Sequence, residues 1–85
     1  MIEQIKLAAK LYEARDSARF IHGDNFPAKV AEFRPHIEKV MKAKNLDTLK
    51  ATMDLVKTLQ DLDAPGALQL IILATGVEMI EPTLT

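Results

Sequence analysis

Cysteine and tryptophan are both missing from this 85-residue chain, and it has only three glycines and one serine. Each shortage closes off a class of chemistry. Without cysteine there are no disulfide staples, no thiolate metal sites and no cysteine nucleophile, and a reducing cytoplasmic setting is the expectation. The glycines, Gly23, Gly66 and Gly76, lie too far apart to build a phosphate-cradling loop. Aromatics are limited to Tyr12, Phe20, Phe26 and Phe33, too few for a base-stacking platform on nucleic acid. No apolar run reaches the ~20 residues of a membrane span. The opening MIEQIKLAAKLYEAR intersperses its charges and lacks the apolar block of a secretory signal.

What is present is apolar helix-forming sequence, 48% hydrophobic and 27% charged. A chain this short makes one domain, residues 1–85. It buries only ~60–65% of the surface its unfolded form exposes, so its stability alone is marginal. The segment that organises it is APGALQLIILATGVEMIE, residues 64–81. On a helical projection one side carries Leu68, Ile72, Gly76 and Met79, and the other carries Leu70, Ile71, Ala74 and Val77. A helix without a polar half is a buried one. Two readings stay open. Either the helix is core on all sides, or its second side, Leu70, Ile71, Ala74 and Val77 rimmed by Glu78 and Glu81, is an interface for a partner or a second copy. The run LQLIIL also admits a buried strand, since a short apolar run does not separate helix from strand.

The rest of the chain reads as three further helices, so the expected fold is an all-α four-helix bundle, with helices at about 2–22, 26–44, 47–62 and 65–81. In the first, Leu7, Leu11, Ala14, Ala18 and Ile21 recur at spacings of four and three, and Ile5, Ala8 and Tyr12 widen that face. Gly23 supplies a left-handed stop and Asp24-Asn25 a new cap. In the second, Phe26, Val30, Phe33, Ile37 and Val40 form a seam that stays in phase across Pro35. A kink there, or two abutting helices, is expected, because a mid-helix proline costs ~3 kcal/mol. Asn45 ends that helix and Asp47 caps the third, whose apolar lines are Leu49, Met53 and Val56 beside Leu55, Leu59 and Leu62. Asp63 and Pro65 open the last helix and Pro82 closes it, leaving Thr83, Leu84 and Thr85 as a frayed tail.

No motif with a mechanism emerges. His22 and His36 are isolated and have no second ligand at zinc-binding spacing. Asp61-x-Asp63-x-Pro65-Gly66 imitates the start of a calcium loop, but its fifth position is proline and its twelfth is Ile72. Asp16-Ser17 resembles the attachment dipeptide of phosphopantetheine carriers, yet Ala18 follows it and it sits mid-helix. No catalytic, cofactor-binding or metal-ligating residue is singled out, and the chain is not expected to be an enzyme. Residues 1–50 carry ten basic and seven acidic side chains, a net +3; residues 51–85 carry Lys57 against five acidic ones, a net −4. The expected function is a small helical protein–protein interaction module, a regulator, inhibitor or adaptor that self-associates through apolar helix surface. The alternative is a nucleic acid-binding regulator using Lys39, Lys42, Lys44 and Lys50, although the basic excess is weak for that role.

Overall fold

The structure, a computed structural model, describes residues 2–64 and 66–84. Pro65, Thr85 and the side chain of Leu7, which figure in the sequence reading, lie outside the described residues. In chain order come α1 (Ile2–His22), a 3-10 turn (Gly23–Asn25), α2 (Phe26–Lys44), α3 (Thr48–Asp61) and α4 (Gly66–Leu84). The described residues contain no strand, which removes the strand reading of LQLIIL.

A four-helix bundle with separate helices is not what the backbone makes. The described residues form three unbroken helical runs, 2–44, 48–61 and 66–84, because α1, the 3-10 turn and α2 are continuous. Gly23 does adopt the left-handed conformation, φ +53°. The chain keeps turning after it, and the Phe26 N–H donates to the Gly23 carbonyl. Asn25 stays right-handed and makes no side-chain cap. Capping side chains satisfy donors that have no preceding helical carbonyl; here the preceding turn supplies one.

The other two junctions are true breaks. At the first, Asn45 is left-handed at φ +54° and the Leu46 N–H reaches back to Met41 O at 3.1 Å. Asp47 then caps α3, its Oδ1 accepting from the Lys50 N–H at 2.8 Å. At the second, Asp63 takes the left-handed place, φ +56°. Ala64 N–H donates to Leu59 O at 2.9 Å and Asp63 N–H to Gln60 O at 3.0 Å, the paired bonds of a Schellman stop. Asp63 therefore finishes α3, whereas the sequence suggested that it opens α4. Asparagine and aspartate tolerate this conformation better than other side-chain-bearing residues, which is why they stand where glycine is absent.

Neither proline breaks its helix. α2 is one continuous element across Pro35, not two abutting helices. Pro35 and Ala31, whose carbonyl loses its N–H partner, are both exposed, so water takes the vacated acceptor. Pro82, expected to close α4, lies inside it. A proline's fixed φ is itself helical, so one at the end of a helix forfeits a bond without forcing the chain out of line. The expected frayed tail is thus helical through Leu84.

α4 is the middle of the molecule. α1, α2 and α3 all pack on it, α1 most extensively, while α1 and α3 share no contact among the described residues. Every residue from Ile71 to Val77 is buried. Around them sit Leu11, Ala14 and Ala18 of α1, Phe26 of α2 and Val56 of α3. The α3–α4 crossing is close enough to require a glycine. A Cβ at Gly76 would press into the Thr52 side chain, 2.7 Å from its Cγ2. The two fully buried threonines satisfy their hydroxyls locally. Thr52 Oγ1 donates to Thr48 O at 2.8 Å and Thr75 Oγ1 to Ile71 O at 2.7 Å. No described helix is long and apolar enough to cross a membrane.

Candidate functional site

The face of α4 expected to await a partner is already covered from within. Ile71 is 1% exposed, Ala74 and Val77 are buried, and Leu70 is half-buried. Their cover includes α1, which presents the small residues Ala14 and Ala18 and so lets the two helices approach. Glu78 and Glu81, read from the sequence as the rim of an interface, are held by the same helix. Arg15 Nη1 donates to Glu81 Oε2 and lies 3.7 Å from Glu78 Oε1, while Arg19 Nη2 donates to Glu78 Oε1 at 3.1 Å. Each guanidinium is also backed by an aromatic ring. Arg15 sits 4.8 Å from the Tyr12 centroid and Arg19 5.3 Å from that of Phe26, within the range of cation–π attraction. Arg15 Nε is buried without a hydrogen-bond partner. Glu78 and Glu81 therefore lie on the seam between α1 and α4, while Ile71, Ala74 and Val77 belong to the shared core with Leu70 packed against it.

Exposed apolar side chains remain at Ile21, expected on the inner line of α1, at Leu62 just past α3, and along the opposite side of α1. Phe20 is 89% exposed and Ile5 68%, and Tyr12 is also exposed. Ile5, Ala9, Tyr12, Asp16 and Phe20 follow one another at helical spacings of four and three, so they share one face. That face covers about 22 Å at 1.5 Å per residue, and all five residues are exposed. Ile5 and Tyr12 were expected to widen the inner face. The structure turns them outward, while Leu11, Ala14 and Ala18 are the buried residues among those of α1 whose side chains are described. Phe20 belonged to no stripe in the sequence reading. The signal that finds it is a second periodic line through the same helix, offset from the first by nearly half a turn.

Charge along this outer face is segregated. Lys6 and Lys10 stand in its N-terminal half, Glu13 and Asp16 in its C-terminal half, all four exposed. No ion pair engages any of them among the described residues.

Two other features compete for attention. An apolar cleft of about 200 Å³ opens between α2, α3 and α4, lined by Phe33, Ile37, Leu55, Leu59, Leu68 and Ile72 with His36 and Thr58 at its edge. It has too few polar groups to orient a reacting molecule. The basic residues suggested for nucleic acid, Lys39, Lys42, Lys44 and Lys50, are all exposed, but Lys44 is engaged by Asp54 at 2.7 Å. Lys42 and Lys44 also occupy the last turn of α2, where cations offset the negative end of the helix dipole without any ligand. Among the described residues no group of three or more His, Asp or Glu is placed to hold a metal ion. Compared with protein-family models, with curated proteins and with solved structures, the chain finds no match.

Proposed function

We propose that the chain is a non-enzymatic helical interaction module, a regulator, inhibitor or adaptor, that docks to protein through the outer face of α1. The observation that carries this reading is Phe20, an aromatic ring 89% exposed at the end of a line that also holds Ile5 and Tyr12. Burying such a side chain is worth ~1.5–3 kcal/mol, a gain this fold forgoes. Single exposed apolar residues are ordinary on any protein. Three on one helix face, with charges beside them, have the apolar centre and polar rim of a docking surface, and aromatic residues are the usual anchors there. Self-association belongs to this reading, moved from the face of α4 to the outer face of α1.

The test is site-specific photo-crosslinking. A benzophenone side chain replaces Phe20 in cells that make the protein, and a control carries it at Lys42. Protein adducts at position 20 and none at 42 are expected. Absence of any adduct at position 20, with another protein or with a second copy, would refute the assignment.

A further inference from the structure

We propose that the occupant of this face is a second copy of the chain, the two α1 helices pairing antiparallel about a two-fold axis that passes between Tyr12 and Glu13. The proposal rests on the reading of the outer face of α1 as a docking surface and names its partner. It follows from the order of residues along the helix. With the axis there, Ile5 of one copy faces Phe20 of the other, Ala9 faces Asp16, and the Tyr12 rings meet near the centre. The bulkiest exposed side chain thus meets an aliphatic one at both ends, and the smallest residue of the line leaves room for Asp16.

Charge complementarity selects this orientation. The N-terminal half of the face is basic, through Lys6 and Lys10, and the C-terminal half acidic, through Glu13 and Asp16. An antiparallel pair sets each basic half against the acidic half of its twin. Lys10 falls between Glu13 and Asp16 of the other copy, and Lys6 reaches Asp16 while its stem lies along Phe20. A parallel pair would set lysine against lysine and carboxylate against carboxylate. Arg15 and Arg19 do not upset the balance, because Glu78 and Glu81 hold them on the other flank. The same patch serves both copies, so the contact is isologous and closes at two. One helix face falls short of the ~800 Å² per partner of a standard interface, so the dimer dissociates on dilution.

The deciding experiment is sedimentation equilibrium on the full chain across roughly a hundredfold range of concentration, since dimer population follows mass action. The unaltered protein is expected to pass from monomer to dimer. Phe20→Ser is expected to weaken dimerisation about tenfold or more. Two charge variants sharpen the result, Lys6→Glu/Lys10→Glu and Glu13→Lys/Asp16→Lys. Each alone is expected to stay monomeric with unchanged helicity, and an equimolar mixture to regain the dimer. Orientation is read by disulfide trapping, which the lack of native cysteine makes clean. Ala9→Cys mixed with Asp16→Cys is expected to cross-link, and neither alone, because like positions would lie about 10 Å apart along the pair, beyond disulfide reach. Self-linking of Ala9→Cys would overturn the antiparallel arrangement. An unaltered protein that stays monomeric throughout would overturn self-pairing altogether. In that case a photo-adduct at position 20 with a different protein keeps the docking surface and loses only its occupant, whereas no adduct removes both.

Discussion

α1 and α4 are helices of similar length, 21 and 19 residues, packed on each other, and they place their apolar residues in opposite ways. α4 is apolar all round and is enclosed by three neighbours. α1 has two apolar lines nearly half a turn apart and only one neighbour of consequence. Its small-residue line goes inward, and its line of large residues stays in water. Size explains the choice. Ala14 and Ala18 are buried in one cluster with Ile71, Ala74 and Val77, and small residues let helices approach, whereas a line holding Phe20 and Tyr12 would hold them apart. The apolar side that folding does not use is the side we propose for association.

Substitutions can break this contrast or make it sharper. The largest effect is expected at Ile71, 1% exposed in α4. Ile71→Asp puts an unpaired charge in the core and is expected to cost more than ~4 kcal/mol, against a total of about 5–10 kcal/mol for a domain of this size. Circular dichroism is expected to show loss of helicity. Retained helicity with lost assembly would return Ile71 to a surface and undo the comparison. Next is Gly76→Ala, which drives a Cβ into Thr52 and is expected to cost ~1–3 kcal/mol by urea denaturation. Adding Thr52→Ala removes the colliding Oγ1 and Cγ2, so the double variant is expected to recover part of the loss. Strict additivity would show that the crossing is looser than described.

Arg15→Met tests the seam between the two helices. The Arg15 side chain is 13% exposed while its partners are more open, so the loss is expected to fall between that of a surface pair and a buried one, ~1–2 kcal/mol. High salt is expected to reduce the difference between variant and parent. Smallest is Phe20→Ser. Its effect on monomer stability is expected within ~0.5 kcal/mol, while its effect on association is large. A Phe20→Ser protein that melts far earlier at a concentration where the parent is monomeric would show that the ring is part of the core.

Much of the backbone was legible in the sequence. Asn45 and Asp47 punctuate the chain as expected, because left-handed stops and side-chain caps depend on residue type within a turn or two. The central place of α4 was legible too, since an all-round apolar helix has no wet side to offer. The joining of α1 to α2 was not, because whether three residues open into a loop or wind as a 3-10 turn depends on how the flanking helices dock. The site was half legible. Ile71 and its neighbours are a contact face, but they are covered by helices of the same chain, and sequence periodicity marks a face without naming what covers it. Phe20 was missed for a related reason. With Leu11, Ala14 and Ala18 as the inner line, Ile5 and Tyr12 read as its margin and Phe20 as part of no line, although the three share a different side.

The clasp of Arg15 and Arg19 on Glu78 and Glu81 also has a consequence in time. α2, α3 and α4 meet through short connections, so contacts between consecutive helices close over short loops. The clasp joins residues 66 apart in sequence, and closing so long a loop carries a larger entropy cost before any contact repays it. Docking of α1 onto the rest is therefore expected to come late in folding. A late contact is absent from the transition state, and losing it speeds unfolding while leaving the folding rate nearly unchanged. Arg15→Met is thus expected to raise the unfolding arm of a chevron plot by about tenfold for each ~1.4 kcal/mol lost; an equal drop in the folding arm would place α1 docking early. On that order of events, the lifetime of the native state, more than its speed of formation, would be set where the first helix is pinned to the last.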